Sequence, residues 1–578
     1  MPKVWDYIIV GGGTAGCVLA NRLSALPDTQ VLLLEAGIDL EPGSEPDEIT
    51  DLYPYTAAYN PDNGWAGLTA TFRPVPHNDP GSVTPKGYIQ ARIMGGGSSI
   101  NGQMANRGLP SDYDEWNALG ATGWSWSEVL PYFKKLETDL DFNGPLHGQD
   151  GPIPISRIDE KDWPAFARAA SSAFSSEGFR NIGDQNGVFD DGWFPIAVNT
   201  DRKQRVSAAM AYLDKATRAR SNLTILPEQT VDQIELSGTT ATGVRIGDTV
   251  HQAREIVLCA GALQTPAVLM RAGIGPATRL KAHGIEPIVD RPGVGRNLQE
   301  HPTIALSGWL KPGNRMGDTP RRHVQTALRY SSGRPDCELG DMSMAVVAKS
   351  AWHPIGLRLG SLVTWVNKSY STGSVSLKSA DPRDLPDVAL EFTSDPRDLA
   401  RLRDAVRFMA KLFSDVAMSG VAEAPFCAAH GKLAGLVGTV SQRNYWLTLA
   451  PAVALDKSGA LRAKFINRLL SPDFHLSKAL TDDDLLDRLI RARVVGGWHC
   501  SGTCRMGPRE KADAVVDPRT ARVHGVDGLR VVDASIMPII PRANTNLPVI
   551  MIAEKMADHI LADGLVRKTW LEAPQGVG

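Results

Sequence analysis

The sequence predicts an α/β fold whose first part contains a parallel sheet, in a chain large enough for two domains. Residues 7–10 form a continuously apolar run that ends at a glycine-rich turn. A second apolar run follows at residues 31–34, after a segment whose apolar side chains have helical spacing. The chain has 578 residues, of which 43% are hydrophobic and 22% are charged. This size and composition are typical of a globular protein with two large domains.

The first predicted strand and the turn after it carry a nucleotide-binding pattern. A short run without polar residues is typical of a strand buried on both faces of a parallel sheet. It meets the sequence GGGTAG at residues 11–16, which matches G-x-G-x-x-G. We expect Gly11 to make the tight turn, Gly13 to let the backbone approach a pyrophosphate, and Gly16 to pack the next helix against the strand. The anion would lie on the unpaired amides at the positive end of that helix.

The following helix and the second strand complete this unit. Apolar residues at 18, 19 and 23 predict a helix over residues 17–26, and the strand at 31–34 ends in Glu35. Glu35 stands nineteen positions after Gly16, where an acidic side chain accepts hydrogen bonds from a ribose. These features agree on a bound dinucleotide but do not separate FAD from NAD.

Two later segments favour a flavin. The sequence ARIMGGGSSING at residues 91–102 offers many backbone donors and little side-chain bulk, so it can lie against a flat polar ring system. Residues 256–262 predict a strand that ends in small residues and continues into an apolar helix, which stops at residues 273–275. Neither segment supplies the second nucleotide fingerprint or the Cys-x-x-Cys of a nicotinamide–flavin disulfide reductase.

Composition excludes several other classes. A net charge of -3 and a pI near 6.5 predict no attraction to nucleic acid or to an acidic membrane. The basic run RKQR at residues 202–205 is interpreted as a solvated loop. No apolar stretch reaches the roughly 18 residues of a membrane span, and the chain enters a strand too early for a signal peptide. Six scattered cysteines favour a reducing cytoplasm, and Cys500 and Cys504 lack the further ligands of a metal site.

The most informative segments lie near the C-terminus. The sequence GGWHCSGT at residues 496–503 places His499 behind two glycines, which interrupt the helical pattern of residues 481–490. The sequence LRVVDAS follows at residues 529–535, and NTNLP at residues 544–548 opens a last amphipathic helix. Of the twelve histidines, His499 alone is given a chemical role, while His301 and His524 are interpreted as structural.

These segments resemble the glucose–methanol–choline (GMC) oxidoreductase family across essentially the whole chain. The glycine fingerprint, the loop at 95–101, the segment at 261–275 and the two C-terminal blocks come in the family's order and spacing. Shared sequences such as NRGLP at 106–110, WVNK at 365–368 and ANTNLP at 543–548 are most similar to members that oxidise 5-hydroxymethylfurfural. Ile100 stands where choline oxidases carry a histidine bonded to the flavin, so the resemblance implies non-covalently bound FAD.

The resemblance implies oxidation of primary alcohols, with hydroxymethyl groups of aryl or furan compounds as substrates and aldehyde hydrates as further candidates. A neutral imidazole is suited to accept the hydroxyl proton near neutral pH, so we assign His499 as the base. Asn544 would donate a hydrogen bond to the substrate oxygen. Oxygen would be the electron acceptor and hydrogen peroxide the product. No nucleic acid partner, membrane span or metal is expected, and the oligomeric state is left open.

The family also implies two sets of binding residues, carried over by position. Residues expected to contact FAD are Gly11, Gly13, Thr14, Ala15, Gly16, Glu35, Ala36, Arg92, Gly96, Gly97, Ser98, Asn101, Gly102, Met104, Val231, Ala260, Trp498, Asp533, Ala534, Asn544 and Thr545. Residues expected to wall the substrate pocket are Trp365, Asn367, Gly497 and Trp498. Gly497 stands where the furfural oxidases carry valine, which predicts a roomier pocket and tolerance of larger alcohols.

The family architecture implies two discontinuous domains: a Rossmann-like FAD-binding domain and an α+β substrate domain on an antiparallel sheet. The FAD domain would comprise residues 1–155, 200–310 and 495–578, and the substrate domain residues 156–199 and 311–494. Residues 42–85, rich in Pro, Gly, Asp and Asn, are expected to form a lid over the flavin.

Four alternatives remain at this point. The same hydride chemistry can serve a dehydrogenase with an acceptor other than oxygen, like the choline dehydrogenases. A hydroxynitrile lyase and a light-driven fatty-acid decarboxylase share the fold, although the decarboxylase does not require the His499–Asn544 pair. A nicotinamide-binding protein without flavin is the last. Peroxide formation and flavin bleaching by an alcohol distinguish them.

Overall fold

The strands form one mixed sheet, one antiparallel sheet and three smaller groups. The computed structural model describes residues 3–572 except 77, 80–82, 429–436 and 473–474, and of residues 565–572 only the backbone. In chain order the strands are β1 (Val4–Val10), β2 (Val31–Leu34), β3 (Thr69–Thr71), β4 (Lys86–Gly87), β5 (Glu137–Asp139), β6 (Ile153–Ile155), β7 (Gly192–Pro195), β8 (Leu223–Leu226), β9 (Gln233–Ser237), β10 (Thr240–Ile246), β11 (Thr249–Leu258), β12 (Ile274–Gly275), β13 (Val289–Asp290), β14 (Pro302–Leu310), β15 (Val324–Tyr330), β16 (Met342–Val347), β17 (Leu359–Val366), β18 (Ser374–Ser376), β19 (Asp387–Ala389), β20 (Ala422–Phe426), β21 (Val495–Gly496) and β22 (Leu529–Val531).

The helices flank these sheets, and the longest described one is the C-terminal helix. In chain order they are α1 (Thr14–Leu23), α2 (Asp47–Thr50), α3 (Tyr55–Ala58), α4 (Gly97–Ile100), α5 (Pro110–Ala118), α6 (Trp126–Leu136), α7 (Ala165–Ser176), α8 (Ala208–Tyr212), α9 (Lys215–Arg218), α10 (Gly261–Arg271), α11 (Ala277–Ala282), α12 (Pro396–Ser414), α13 (Val416–Val421), α14 (Gln442–Lys457), α15 (Gly459–Phe465), α16 (Leu476–Ala479), α17 (Asp483–Arg493) and α18 (Asn546–Glu572). Within the described part of the chain, no helix combines the length and the apolarity that a bilayer span requires.

The first sheet confirms the predicted Rossmann-like domain. Its order is β8-β2-β1-β11-β10-β9, with β22 added beside β11. The pairs around β1 and β2 are parallel, as are β11 and β22, whereas β9, β10 and β11 form an antiparallel meander. Residues 8–10 and 31–34 are buried, because α1 packs against β1 and β2 and α18 packs on α1. The helix predicted over 17–26 begins earlier, at Thr14, directly after the glycine turn.

The second sheet is antiparallel and has two different faces. Its order is β20-β14-β17-β16-β15-β7, and β21 pairs with β14. On one face, Leu306 and Leu362 pack in one apolar cluster with Leu402 and Met409 of α12. The opposite face lines a cavity, because alternate residues of a strand point to the same side. Its cavity-lining residues are Thr303, Val324, Ala345, Val347, Val363 and Trp365.

Strand pairing divides the chain slightly differently from the predicted domains. Strand β14, residues 302–310, was expected in the FAD domain but pairs with β17 in the second sheet. Strand β21, residues 495–496, pairs antiparallel with β14 in that sheet as well. Both segments therefore enter or leave the second sheet at one point, and His301 and His499 lie next to this crossing.

A buried charge cluster fixes the segment from β5 to β6 and the loop before β7. His147 Nε2 lies 2.8 Å from Asp184 Oδ2, and Nδ1 lies 3.1 Å from Asp139 Oδ2. Arg157 forms ion pairs with the same two aspartates. Burial alone would lower the pKa of His147, but the hydrogen bonds that its ring donates to Asp139, Asp184 and Glu137 raise the pKa to about 10. This histidine was assigned no role from the sequence.

We predict that the imidazolium of His147 stabilises the folded protein in a pH-dependent manner. Since the folded pKa of about 10 exceeds the unfolded value of about 6.5, the contribution is complete below about pH 6.5 and is lost by about pH 10. His147→Gln should lower the Tm at pH 6 and make little difference above pH 10. Thermal unfolding of the wild type and His147→Gln between pH 6 and pH 10 measures this stabilisation. A Tm difference that does not change with pH would contradict the prediction.

Candidate active site

A cavity of about 680 Å³ lies between the two sheets. One end is lined by the glycine turn and Glu35, and the other end by His499 and Asn544. Residues from the segment at 42–85 also line it, among them Tyr55 and Trp65. The cavity therefore joins the nucleotide-binding pattern of the N-terminus to the C-terminal histidine.

The turn between β1 and α1 has the geometry of an anion site. Gly11 has φ of 104°, and a Cβ there would lie 2.5 Å from the Cys259 carbonyl oxygen. A Cβ on Gly16 would lie 1.9 Å from the Gly11 carbonyl oxygen, so this position packs α1 against the turn as predicted. No side chain caps the start of α1. Its first amides are left for a negatively charged ligand.

Glu35 connects the end of β2 to this turn. Its carboxylate accepts hydrogen bonds from the amides of Gly12 and Gly37, each at 2.7 Å. Burial raises the pKa of Glu35 to about 7, against the effect of these two hydrogen bonds. Glu35 lines the cavity, which is consistent with the predicted ribose contact, and the carboxylate also shapes the turn itself.

The glycine loop at 95–97 lies directly against the glycine turn. A Cβ on Gly96 would lie 2.8 Å from Cα of Gly13, so the glycine loop does not tolerate a side chain at Gly96. Arg205 holds the end of the loop, because it donates to the carbonyl oxygens of Ser98 and Asn101 at 3.2 and 2.8 Å. Arg205 is fully buried, so the interpretation of 202–205 as a solvated loop was wrong for this residue.

His499 and Asn544 meet on the cavity wall. Nε2 of His499 lies 3.0 Å from Nδ2 of Asn544, and both residues line the cavity. His499 follows β21 after Trp498, whose φ of 62° turns the chain sharply. Asn544 lies two residues before α18. Two distant segments thus bring a ring nitrogen and an amide to one point.

The buried carboxylate of Glu300 holds the backbone at His499 in place. Oε1 of Glu300 accepts hydrogen bonds from the backbone amides of His301 and His499, at 2.8 and 2.9 Å. Tyr88 donates its hydroxyl to Oε2 at 2.5 Å, and this hydroxyl lies 3.1 Å from the Cys500 sulfur. No catalytic role was assigned from the sequence to Glu300, Tyr88 or Cys500. In the sequence, Glu300 directly precedes His301, which was interpreted as structural.

His301 contacts His499 directly. The two Nδ1 atoms lie 2.9 Å apart, although His301 was interpreted as structural. Nε2 of His301 is buried. Burial lowers the pKa of His301 to about 3, although hydrogen bonds with the backbone of Pro541 and Asn367 act to raise this pKa.

The site keeps both imidazoles neutral. Burial lowers the pKa of His499 well below its usual value, and the nearby His301 adds to this effect. Because Asn544 Nδ2 is a donor, Nε2 of His499 accepts and carries no proton. Nδ1 of His499 then carries the ring proton and donates a hydrogen bond to Nδ1 of His301. Burial raises the pKa of Glu300 to about 7, against the hydrogen bonds that it accepts.

The predicted pocket wall is largely in place, with one exception. Trp365, Gly497 and Trp498 line the cavity, and Trp498 is half exposed. Asn367 does not line it: its Oδ1 accepts from Trp365 Nε1 at 3.0 Å, and its side chain is buried. Asn367 follows the last residue of β17, and its Nδ2 donates to the carbonyl oxygens of Gly340 and Arg542, at 3.2 and 3.4 Å. These contacts hold its side chain against Trp365 and off the cavity wall.

A Cβ on Gly497 would affect His499 more than the pocket volume. It would lie 2.8 Å from Nδ1 and 3.0 Å from Cε1 of that ring. The absence of a side chain here gives the imidazole its position. The expectation of a roomier pocket is therefore incomplete.

Most residues expected to contact FAD line the cavity. Two do not, namely Gly16, which packs inside α1, and Ser98, whose hydroxyl donates to the Gly95 carbonyl oxygen at 2.6 Å. Asp533 lines it but also accepts from the Gly261 amide and the Thr265 hydroxyl, at 2.9 and 2.6 Å. The residues found on the cavity wall are Gly11, Gly13, Thr14, Ala15, Glu35, Ala36, Arg92, Gly96, Gly97, Asn101, Gly102, Met104, Val231, Ala260, Trp498, Asp533, Ala534, Asn544 and Thr545.

The cavity fits a flavin dinucleotide in shape and chemistry. The uncapped amides of α1 suit a pyrophosphate, Glu35 offers carboxylate oxygens on the cavity wall, and Gly97 and Gly102 leave open space for a flat ring. The volume lies within the range of roughly 300–1,000 Å³ that is usual for cofactor sites.

Comparison with known proteins agrees with this geometry. Residues 5–303 and 369–553 match the two domains of the GMC oxidoreductase family. The 5-(hydroxymethyl)furfural oxidase of Methylovorus sp. (strain MP688) is 45% identical, covering 96% of this chain and 99% of that protein. The oxygen-dependent choline dehydrogenase of Brucella anthropi is 32% identical, over 96% of this chain and 95% of that one.

Solved structures show the same relationship. The crystal structure of pyridoxine 4-oxidase from Mesorbium loti superposes with a TM-score of 0.76 and 29% sequence identity, covering 96% of this chain and 99% of that one. With the matching domains, the similar relatives and the flavin-shaped cavity, the chain belongs to the GMC oxidoreductase family and is an FAD-dependent oxidoreductase.

Proposed function

We propose that this enzyme oxidises primary alcohols, preferring hydroxymethyl groups on aryl or furan rings, and passes the electrons to oxygen to give hydrogen peroxide. The observation that carries the proposal is the contact between Nε2 of His499 and Nδ2 of Asn544 on the cavity wall. It places a proton acceptor and a hydrogen-bond donor where one hydroxyl oxygen can meet both. The furfural oxidase at 45% identity and the pyridoxine oxidase structure support this substrate class.

His499 is proposed to accept the hydroxyl proton. FAD, when bound, supplies the acceptor for the hydride that leaves the alcohol carbon. Nε2 faces Asn544 without a proton, and the lowered pKa keeps the ring neutral at physiological pH. Proton transfer to a positioned base of this kind contributes typically about 10²- to 10⁴-fold to a rate.

His301 and Glu300 stabilise the protonated form of His499. After proton transfer the ring carries protons on Nε2 and Nδ1, and Nδ1 continues to donate to Nδ1 of His301. Glu300 fixes the backbone on both sides of this contact, because one oxygen accepts from the amides of His301 and His499. In its ionised form this carboxylate also favours the positive charge that forms on His499.

Asn544 is proposed to position the substrate. Its amide donor can leave Nε2 of His499 for the alcohol oxygen, which keeps the hydroxyl proton directed at the base. The wall formed by Val347, Val363 and Trp365 is apolar and suits a flat aromatic ring. The hydrate of an aldehyde presents the same carbinol arrangement, so a second oxidation to the acid is included in the proposal.

We further propose that the enzyme acts in the cytoplasm. All six cysteines are unpaired, and four of them are buried. Such thiols are usual in a reducing compartment.

Aerobic and anaerobic turnover test the function. Purified enzyme, benzyl alcohol and 5-(hydroxymethyl)furfural should give hydrogen peroxide in air and bleached flavin without oxygen. Bleaching without peroxide would favour a dehydrogenase with another acceptor, as the choline dehydrogenase relative suggests. Flavin that stays oxidised with every alcohol would contradict the proposal and favour a lyase.

Replacing the proposed base should slow flavin reduction specifically. We expect His499→Ala to lower the anaerobic rate of flavin reduction by about 10²- to 10⁴-fold, and Asn544→Ala by about 100-fold. Stopped-flow absorbance measures both rates. His524→Ala is the control, because His524 bonds to the Gly507 carbonyl oxygen and does not line the cavity. An unchanged rate in His499→Ala would refute its role.

Gly497→Val should impair reaction with all alcohols. The new Cβ would press on the His499 ring, at 2.8 Å from Nδ1, and a misplacement of about 1 Å can cost roughly 100-fold in rate. Measured kcat/KM values for small and large alcohols should fall together. A selective loss of the larger alcohols alone would show instead that Gly497 acts through pocket volume.

Glu300→Gln tests whether the charge of Glu300 favours the protonated form of His499. The carboxyl group has a pKa of about 7, so it ionises as the pH rises through this value and then favours the protonated ring. We expect the wild-type rate of flavin reduction to rise between pH 6 and pH 8. In Glu300→Gln this rise should disappear, with a rate about tenfold lower at pH 8. A variant that keeps the wild-type pH profile would assign Glu300 a purely structural role.

A further inference from the structure

One pair of helices presents apolar side chains to solvent. Helices α14 and α15, with the turn that follows them to residue 470, pack on the end of the second sheet. Thr448, Ala452 and Leu455 form the buried stripe of α14. The opposite face carries Trp446 and Leu447, which are 64% and 57% exposed. A surface helix normally has polar residues there.

The exposed apolar residues continue beyond α14. Leu461 and Leu469 are 53% and 52% exposed, and Val453 and Tyr445 are exposed as well. These six exposed apolar residues all belong to the segment from residue 445 to residue 469, and apolar patches on a protein surface mark interaction sites. We call these six side chains together with Arg443, Lys457, Lys464 and Arg468 the basic apolar surface.

The charges of this segment are strongly one-sided. Residues 442–470 contain five basic residues and one acidic residue, in a chain whose net charge is -3. The acid, Asp456, is used internally, since it forms ion pairs with Arg315 and Arg358. One base, Arg462, forms an ion pair with Glu423. The other four bases form no ion pair with any residue that the structure describes.

We infer that the basic apolar surface docks on an anionic lipid bilayer. Exposed tryptophan and leucine can insert at the boundary between headgroups and acyl chains, while lysine and arginine meet lipid phosphates. Charge argues against a second copy of this chain, because a symmetric dimer would place the same four cations opposite each other. The contact lies on the surface and needs no spanning helix.

The helices are held firmly enough to act as a docking platform. Trp309 Nε1 donates to Asp456 at 3.1 Å, and Arg358 Nε lies 2.8 Å from the same carboxylate. Leu455 and Ile466 pack against Trp309, Leu359 and Phe426 of the sheet. These contacts use only the inner face, so docking does not require the helices to unfold or move.

Vesicle co-sedimentation of the FAD-loaded enzyme tests the inference. At low salt, binding to vesicles of phosphatidylcholine and phosphatidylglycerol should exceed binding to phosphatidylcholine alone by at least tenfold, and should fall as salt rises. The double variant Trp446→Ser/Leu447→Ser should bind at least tenfold less. Lys464→Glu/Arg468→Glu should lose the preference for the anionic vesicles.

The matched control is Leu339→Ser. Leu339 is 78% exposed and precedes β16, at the end of the sheet opposite to α14, so this variant should bind vesicles like the wild type. Alcohol oxidation in solution should be unchanged in all variants, since none of these residues lines the cavity. Absence of binding to anionic vesicles, or equal loss in Leu339→Ser, would overturn the inference. A dimer that the Trp446 and Leu447 substitutions dissociate, without vesicle binding, would also overturn it and assign the surface to a second copy.

Discussion

The carboxylate of Glu300 holds together the two chain segments on which the site depends. One of its oxygens accepts hydrogen bonds from the backbone amides of His301 and His499, which are 198 residues apart in sequence. These amides lie where β14 and β21 cross from the second sheet toward the first. A buried carboxylate with two amide donors and the Tyr88 hydroxyl is well satisfied. The position of His499 on the cavity wall follows from this crossing.

Burial then sets the chemistry of the imidazoles. Removing water from His301 and His499 disfavours their charged forms and lowers both pKa values. A neutral ring is a proton acceptor, and the contacts at its two nitrogens leave Nε2 as the accepting atom. The same burial raises the pKa of Glu300 to about 7, so this carboxyl group can change its charge near the working pH. One physical cause therefore prepares the base and makes its support sensitive to pH.

Features that depend on local sequence patterns were predicted better than features that depend on long-range contacts. Gly11, Gly16 and Glu35 were identified because one strand, one turn and one helix fix their surroundings. Arg205 was misinterpreted, because a basic run is usually solvated and the carbonyl oxygens that bury this side chain come from residues 104 and 107 positions earlier in the chain. Tyr88 reaches Glu300 across 212 residues, a contact without any local signal. Asn367 was expected in the pocket from the family resemblance, but its amide group bonds to Trp365 Nε1 and to the carbonyl oxygens of Gly340 and Arg542 instead.

Net charge illustrates the same limit for surfaces. A total of -3 predicts repulsion from an anionic membrane only if charge is spread evenly over the protein. Screening restricts the field of each charge to about 10 Å at moderate salt, so a docking surface responds to the groups within that distance. In the segment at 442–470, four cations without an ion pair to the described residues accompany exposed apolar side chains. The uneven distribution of charge, rather than the total, therefore decides what this end of the second sheet can bind.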